Sequence, residues 1–272
     1  MKRKFVVTTH LPEGGAYFID QVARTGHLET VIFQMLPVGR KGLVRLIRWP
    51  YACMRELYWQ TQSFRSRRLM RLGRFLPGYT LEHVVGHRLN DIRRLARRHG
   101  FKLVVTNSIN SDPAALDALR HSEAEFLLVQ GGRILKPSTL KAFKGIWLNG
   151  HGGYLPQYRG MHSEYWALKH RDYDRIGVSI HVLVVRLDGG PILQRSCISY
   201  DPREPYGDLL LRNHANLVST YVEFVRRLAE RPAGAGLSGF ELIPNSPVGP
   251  CYSAPAGVDM MRLAATPAGE VR

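Results

Sequence analysis

The sequence predicts an α/β fold: a doubly wound, mostly parallel sheet that carries a basic helical insertion. Three observations predict it. Runs of β-branched and aromatic residues bounded by Gly and Pro alternate with stretches of helical periodicity, the alternation recurs up to residue 130, and an arginine-rich interval from about 40 to 88 interrupts it.

The elements follow in order. "KFVVTTH" reads as a strand, "LPEGG" as a loop, "AYFIDQVARTG" as a helix with Gly26 at its C-cap, and "ETVIFQML" as a second strand. A second cycle pairs the helix "LNDIRRLARRHG" with the strand "FKLVVTNSIN". A third pairs "DPAALDALRHS", with Pro113 in its first turn, with "AEFLLVQGG". Inside the interruption, Tyr51, Met54, Leu57 and Tyr58 fall at helical spacing behind Pro50, and Leu69, Leu72 and Leu76 continue an apolar stripe. Further on come the helix "MHSEYWALKHRD", the strands "IGVSIHVLVV" and "ILQRSCISY", and a long helix from about Tyr206 to Glu230. The expected organisation is one domain over 1–230, with the insertion at about 40–88, and a surface extension over 231–272, rich in Pro, Gly, Ala and Ser.

Composition narrows the function. The 272 residues are 44% hydrophobic, which is ample for a packed core, and the apolar run Phe5–Val7 is far too short for a signal peptide. No segment reaches membrane-spanning length, so a cytoplasmic protein is expected. Cys53, Cys197 and Cys251 are odd in number and widely spaced, which argues against a disulfide frame or a structural zinc site and leaves them as packing residues. The net charge of +16 is concentrated: residues 40–100 hold fifteen Lys and Arg against three Asp and Glu. Such a field suits nucleic acid, phosphate-bearing small molecules or an anionic membrane.

The chemistry gathers in "LNGHGGYLPQYRG", Leu148–Gly160. Asn149 and His151, two apart at a strand end, point the same way. Gly150, Gly152 and Gly153 clear space for a ligand's close approach, and Leu155–Pro156 ends the strand. In "RLDGGPIL", Asp188 sits in a tight turn between two strands, from which a carboxylate can reach a cleft. An Asn, a His and an Asp converging at the carboxyl edge of a parallel sheet is where such folds place their sites. The remaining histidines, His162, His170 and His181 among them, read as structural, with His162 the first exception because it adjoins the motif.

These residues resemble the folate-dependent formyltransferases, a family that includes glycinamide ribonucleotide, methionyl-tRNA and nucleotide-amino-sugar formyltransferases. "GGRIL" (Gly131–Leu135) resembles the segment lining the folate pocket, "NGHGGYLPQYRG" the Asn-x-His stretch, and "LDGGPIL" (Leu187–Leu193) the Asp loop; "YWAL" (Tyr165–Leu168) and "GVSIH" (Gly177–His181) also fit. The match runs from about Leu103 to Tyr200. It implies a Rossmann-like formyltransferase fold and an N-formyltransferase that takes its formyl group from 10-formyltetrahydrofolate. Asn149, His151 and Asp188 are then catalytic. Asn149 and a protonated His151 would donate to the oxyanion of a tetrahedral intermediate, and Asp188 would favour the charged imidazole and, with a water, relay the proton. No metal is implied, because the carrier already activates the formyl group. Gln130, Gly131, Arg133, Ile134, Leu135, Val184 and Leu187 would bind the folate.

Departures from the family narrow the acceptor. "THLPEGGAYF" lacks the Gly-rich phosphate loop of the purine-pathway members, which disfavours glycinamide ribonucleotide. The chain beyond Tyr200 is too short for the separate C-terminal barrel of the methionyl-tRNA members, and their Gly-Thr-Pro opening turn is missing, so tRNA is disfavoured as partner. The expected acceptor is the amine of a small phosphate-bearing molecule, such as a nucleotide-linked amino sugar, whose phosphates the arginines would meet. "RLIRWPYACMRELYW" could instead rest on an anionic membrane. A non-catalytic RNA-binding relative is the competing class, and keeping Asn149, His151 and Asp188 together counts against it.

Overall fold

The computed structural model describes residues 4–9, 15–34, 89–132, 134–253, 255, 263 and 266–271. The expected basic helical insertion over about 40–88 and the candidate Arg133 lie outside the described residues.

Alternating patterns become alternating elements: β1 (Phe5–Thr9), α1 (Gly15–Arg24), β2 (Leu28–Gln34), α2 (Leu89–His99), β3 (Lys102–Thr106), α3 (Pro113–Arg120), β4 (Phe126–Gln130), α4 (Pro137–Ala142) and β5 (Ile146–His151). There follow a short β6 (Arg159–Gly160), α5 (Ser163–Lys169), β7 (Gly177–Val182), β8 (Ile192–Cys197), α6 (Tyr206–Glu230) and a short β9 (Cys251–Tyr252). Local chemistry sets the boundaries. Asp112 caps α3 by accepting from the Ala114 N–H at 2.9 Å, with Pro113 in the first turn, where a missing N–H costs nothing. Gly26 closes α1 at φ 75°, a left-handed conformation that glycine adopts freely.

Seven strands form one sheet in the order β3-β2-β1-β4-β5-β7-β8. The strands from β1 to β5 are parallel; β7 runs antiparallel to both β5 and β8. The mostly parallel, doubly wound expectation holds, and the two reversed strands are confined to one edge. Strand residues divide between the two faces as the period of two requires. Phe5, Val7, Leu128 and Leu148 join α1, α2 and α6 in one core, with Phe18, Tyr221 and Phe224 prominent. Val6, Ile32, Leu127, Val129 and Trp147 join α3 and its neighbours in the other, with Ile109, Leu119 and Phe143. This is a sheet covered on both sides. The buried Lys4 reaches from just before β1 to the end of α6, where Nζ donates to Ala229 O at 2.9 Å and also to Arg231 O. A cation there satisfies carbonyls that the helix leaves open.

The stretch beyond Glu230, expected as a surface extension, also touches the body: Ile243 bridges to Ile192, β9 pairs with β6, and Leu263, Ala268 and Val271 are buried beside Tyr206 and Leu209. Its buried apolar residues are too sparse to make a periodic signal. Cys197 and Cys251 are exposed, not packing residues.

Candidate active site

Asn149 and His151 stand at the carboxyl end of β5, on one face of the sheet. The other face is settled by Gly150, where a side chain would collide with Tyr221, 2.8 Å away on α6. β5 pairs with β7 so that Asn149 lies opposite His181 and His151 opposite Ser179.

Asp188 arrives from the loop between β7 and β8. The hairpin closes where the Val182 N–H donates to Pro191 O at 2.9 Å, and the loop then folds back over the sheet face. That return needs glycine at 190, since a Cβ there would lie 1.9 Å from Val182 O. Asp188 itself is left-handed, at φ 46°, a conformation that Asp tolerates better than most residues. Its carboxylate is buried between two imidazoles, with Oδ2 3.7 Å from His151 Nδ1 and Oδ1 3.7 Å from His181 Nε2. Oδ2 also accepts from the Gly160 N–H at 2.9 Å.

Hydrogen bonds assign the tautomers. His151 Nε2 lies 2.8 Å from Tyr158 O, and a carbonyl only accepts, so Nε2 carries a proton and Nδ1 is the nitrogen left facing Asp188. His181 is the reverse: Nδ1 donates to Val182 O at 2.9 Å, which leaves Nε2 to accept from the Asn149 amide at 3.0 Å. Burial, and then the nearby positive charge that His151 can carry, lower the His181 pKa to about 4, so it is neutral at ordinary pH. Close to this cluster, Asn213 Nδ2 donates to Glu164 Oε1 at 2.8 Å, and enclosure of the Glu164 carboxyl raises its pKa.

The sequence-derived residues thus divide. Asn149, His151 and Asp188 come together. His181, expected to be structural, bonds Asn149 directly; its place in "GVSIH", one strand over from the motif, was the available signal. His162, the favoured exception, is half-buried at the start of α5 and makes no side-chain capping bond. His170 stacks on Tyr158.

Of the other candidates, Gln130 is wholly buried, backbone included, and accepts from Thr9 Oγ1 at 3.4 Å, so it lies beneath the surface that a ligand could touch. Gly131 turns the chain at φ 63°. Asn110 staples the loop that follows, donating to Ile134 O and accepting from the Lys136 N–H, each at 2.9 Å. Leu135 and Leu183 pack on the same cluster around Val129 and Trp147, while Ile134, Val184 and Leu187 are exposed at 77%, 38% and 44%. Two loops anchored in one core therefore hold uncovered apolar side chains, as an apolar ligand wall requires.

A family model described as formyl transferase matches residues 84–225. The chain is 36% identical over 122 residues to the methionyl-tRNA formyltransferase of Rhodopirellula baltica, a match covering 44% of this chain and 36% of that protein. Matches to the curated relatives span less than half of those proteins' own lengths. In fold, the chain is similar to the phosphoribosylglycinamide formyltransferase of Bacillus halodurans, with TM-score 0.55, 15% identity and coverage of 84% of this chain and 96% of that one. It is also similar to a sugar N-formyltransferase from Shewanella sp., with TM-score 0.55, 11% identity and coverage of 98% and 88%. No helix among the described residues is long and apolar enough to cross a membrane.

Proposed function

The chain belongs to the formyl transferase family, and we propose that it moves a formyl group from 10-formyltetrahydrofolate to the amine of a small phosphate-bearing molecule, such as a nucleotide-linked amino sugar. The observation that carries this reading is the convergence of Asn149, His151 and Asp188 at the carboxyl end of β5. The exposed Ile134, Val184 and Leu187 and the turn at Gly131 fit the ring system of the donor, with Leu135 and the buried Gln130 behind them. The donor supplies an already activated formyl carbon, and tetrahydrofolate departs when the carbon–nitrogen bond to the acceptor has formed.

The chain's own residues handle charge and proton. Asn149, its amide turned by His181, has a second N–H that no hydrogen bond among the described residues claims and that can meet the oxygen that becomes negative as the amine adds. His151 presents Nδ1 on the Asp188 side, where a proton placed on it can also meet that oxygen. Asp188 lies near enough to stabilise the imidazolium and, through a water, to take the amine's proton and return it to the leaving folate nitrogen. The clustered Lys and Arg of residues 40–100 supply a field that suits the acceptor's phosphates. A second reading, formylation of a charged tRNA, is favoured by the identity to the R. baltica protein and by the same basic charge.

The test is formyl transfer by the purified protein, offered nucleotide-linked amino sugars and charged initiator tRNA in parallel, with products identified by mass. Formylated sugar supports the first reading, and formylated tRNA alone replaces it with the second. His151→Ala should abolish transfer while the protein remains folded; unchanged transfer would remove His151 from the mechanism.

A further inference from the structure

The loop carrying Asp188 is held from behind by two buried side chains that lie outside the hairpin. Asn245, 7% exposed, donates from Nδ2 to Asp188 O at 2.8 Å and to Gly190 O at 2.9 Å. Arg159, also 7% exposed, donates from Nε to Leu187 O at 3.0 Å, with Nη2 on the same oxygen, and from Nη1 to Gly249 O at 3.0 Å. The carbonyls of 187, 188 and 190 are thereby pinned to Arg159 and to the segment 243–252.

That segment is itself firmly seated. Ile243 and Ile192 exchange backbone hydrogen bonds at 2.9 and 2.8 Å, the Gly249 N–H donates to Pro156 O at 3.1 Å, and β9 pairs with β6 directly beside Gly160. It straps the "LPQYRG" stretch and the Asp188 loop together, and it begins beyond residue 225, where the family match ends.

We infer that Asn245 is a positioning residue: by holding the carbonyls on both sides of Gly189, with Arg159 as its counterpart at Leu187, it keeps the Asp188 carboxylate within reach of His151. Three features argue for positioning over space-filling. Asn245 commits its amide hydrogens to the loop while its Oδ1 stays buried without a partner among the described residues, an arrangement that an apolar residue would avoid. Arg159 is a buried cation whose hydrogen-bond partners among the described residues are carbonyls of the loop and the strap. Asp188 occupies a left-handed conformation that a loop without such bonds would readily leave.

The inference rests on the proposed catalytic role of Asp188, and a direct reporter separates the two. Asp188 Oδ2 accepts from the Gly160 N–H, so the Gly160 amide resonance of 15N-labelled protein follows the position of the carboxylate. In Asn245→Ala this resonance should move toward its position in Asp188→Ala, and kcat should fall at least about tenfold while KM for the donor stays within about threefold. Leu242→Ala, exposed just before that segment, should change neither. If Asn245→Ala fails to fold, Asn245→Ser is read in the same way. A Gly160 resonance and a kcat at parental values, whatever the melting temperature, would overturn the inference. Should Asp188→Ala itself retain full transfer, the catalytic reading fails, and the Gly160 resonance still judges the clamp.

Discussion

The Asn149 side-chain amide donates to His181 Nε2 across 3.0 Å, and that bond decides which way round the amide sits. It exists because β5 and β7 are paired with Asn149 opposite His181; a slip of one residue would put Ile180 or Val182 there and turn the imidazole to the far face. His181→Leu should therefore lower kcat with little change in donor KM. The loss should be about 10–100-fold, below what removal of an oxyanion donor itself costs, because the amide remains and only its orientation relaxes. Steady-state kinetics at saturating donor decides this, and a kcat equal to that of the parent would remove His181 from the site.

His181 also sets an acid limit. Burial and the proximity of His151 take its pKa from 6.5 to about 4 in the fold, so between those values the unfolded chain binds a proton that the folded chain refuses. Stability should fall as pH drops from about 6.5 toward 4, by up to roughly 3 kcal/mol from this group. Urea unfolding in steps across that window should show the decline in the parent and a flatter profile in His181→Leu.

Glu164 should act in the opposite sense. Enclosure raises its pKa, so the folded state holds that proton more tightly than the unfolded chain does, and the stability linked to it is lost as pH rises above the ordinary carboxyl range. Glu164→Gln keeps an acceptor for Asn213 and removes the buried charge. Its melting temperature should exceed the parent's at pH 7 and converge with it in acid; a lower melting temperature at pH 7 would mean that the ion is held more favourably than its enclosure implies.

Asp188 combines a chemical and a conformational demand. Asp188→Asn should keep the fold, since Asn tolerates a φ of 46°, and lose roughly 10²–10⁴-fold in transfer. Asp188→Val should lose the same activity and a further 1–2 kcal/mol or so of stability, because a β-branched residue resists the left-handed region. Equal melting temperatures for the two variants would show that the conformation matters little.

Lys4 offers a prediction remote from the chemistry. Its ammonium is buried against the terminal carbonyls of α6, so Lys4→Met should destabilise by about 1–3 kcal/mol and leave kcat unchanged. Thermal melts read beside transfer assays check both halves.

Much of this was legible in the chain because local chemistry wrote it there. Pro113, Gly26 and the alternating apolar runs marked element ends, and the glycines around His151 and Asp188 marked where backbone must come close. The partnerships of His181, whose one signal was its place in "GVSIH", and of Asn245 were not legible, for a common reason. Each acts through a pairing made by tertiary structure, strand against strand for His181 and segment against loop for Asn245, and neither leaves a trace in spacing. The reversal of β7 was equally hidden, since an isolated apolar run carries no direction.

Asn245 lies 57 residues beyond the aspartate whose carbonyl it holds. During synthesis Asp188 is made before its brace, so the nascent chain holds Asn149, His151 and Asp188, the proposed catalytic residues, for a time without the side chain proposed to fix one of them. On the proposed role of Asn245, the Asp188 loop is fixed only when the stretch around residue 245 follows the long helix.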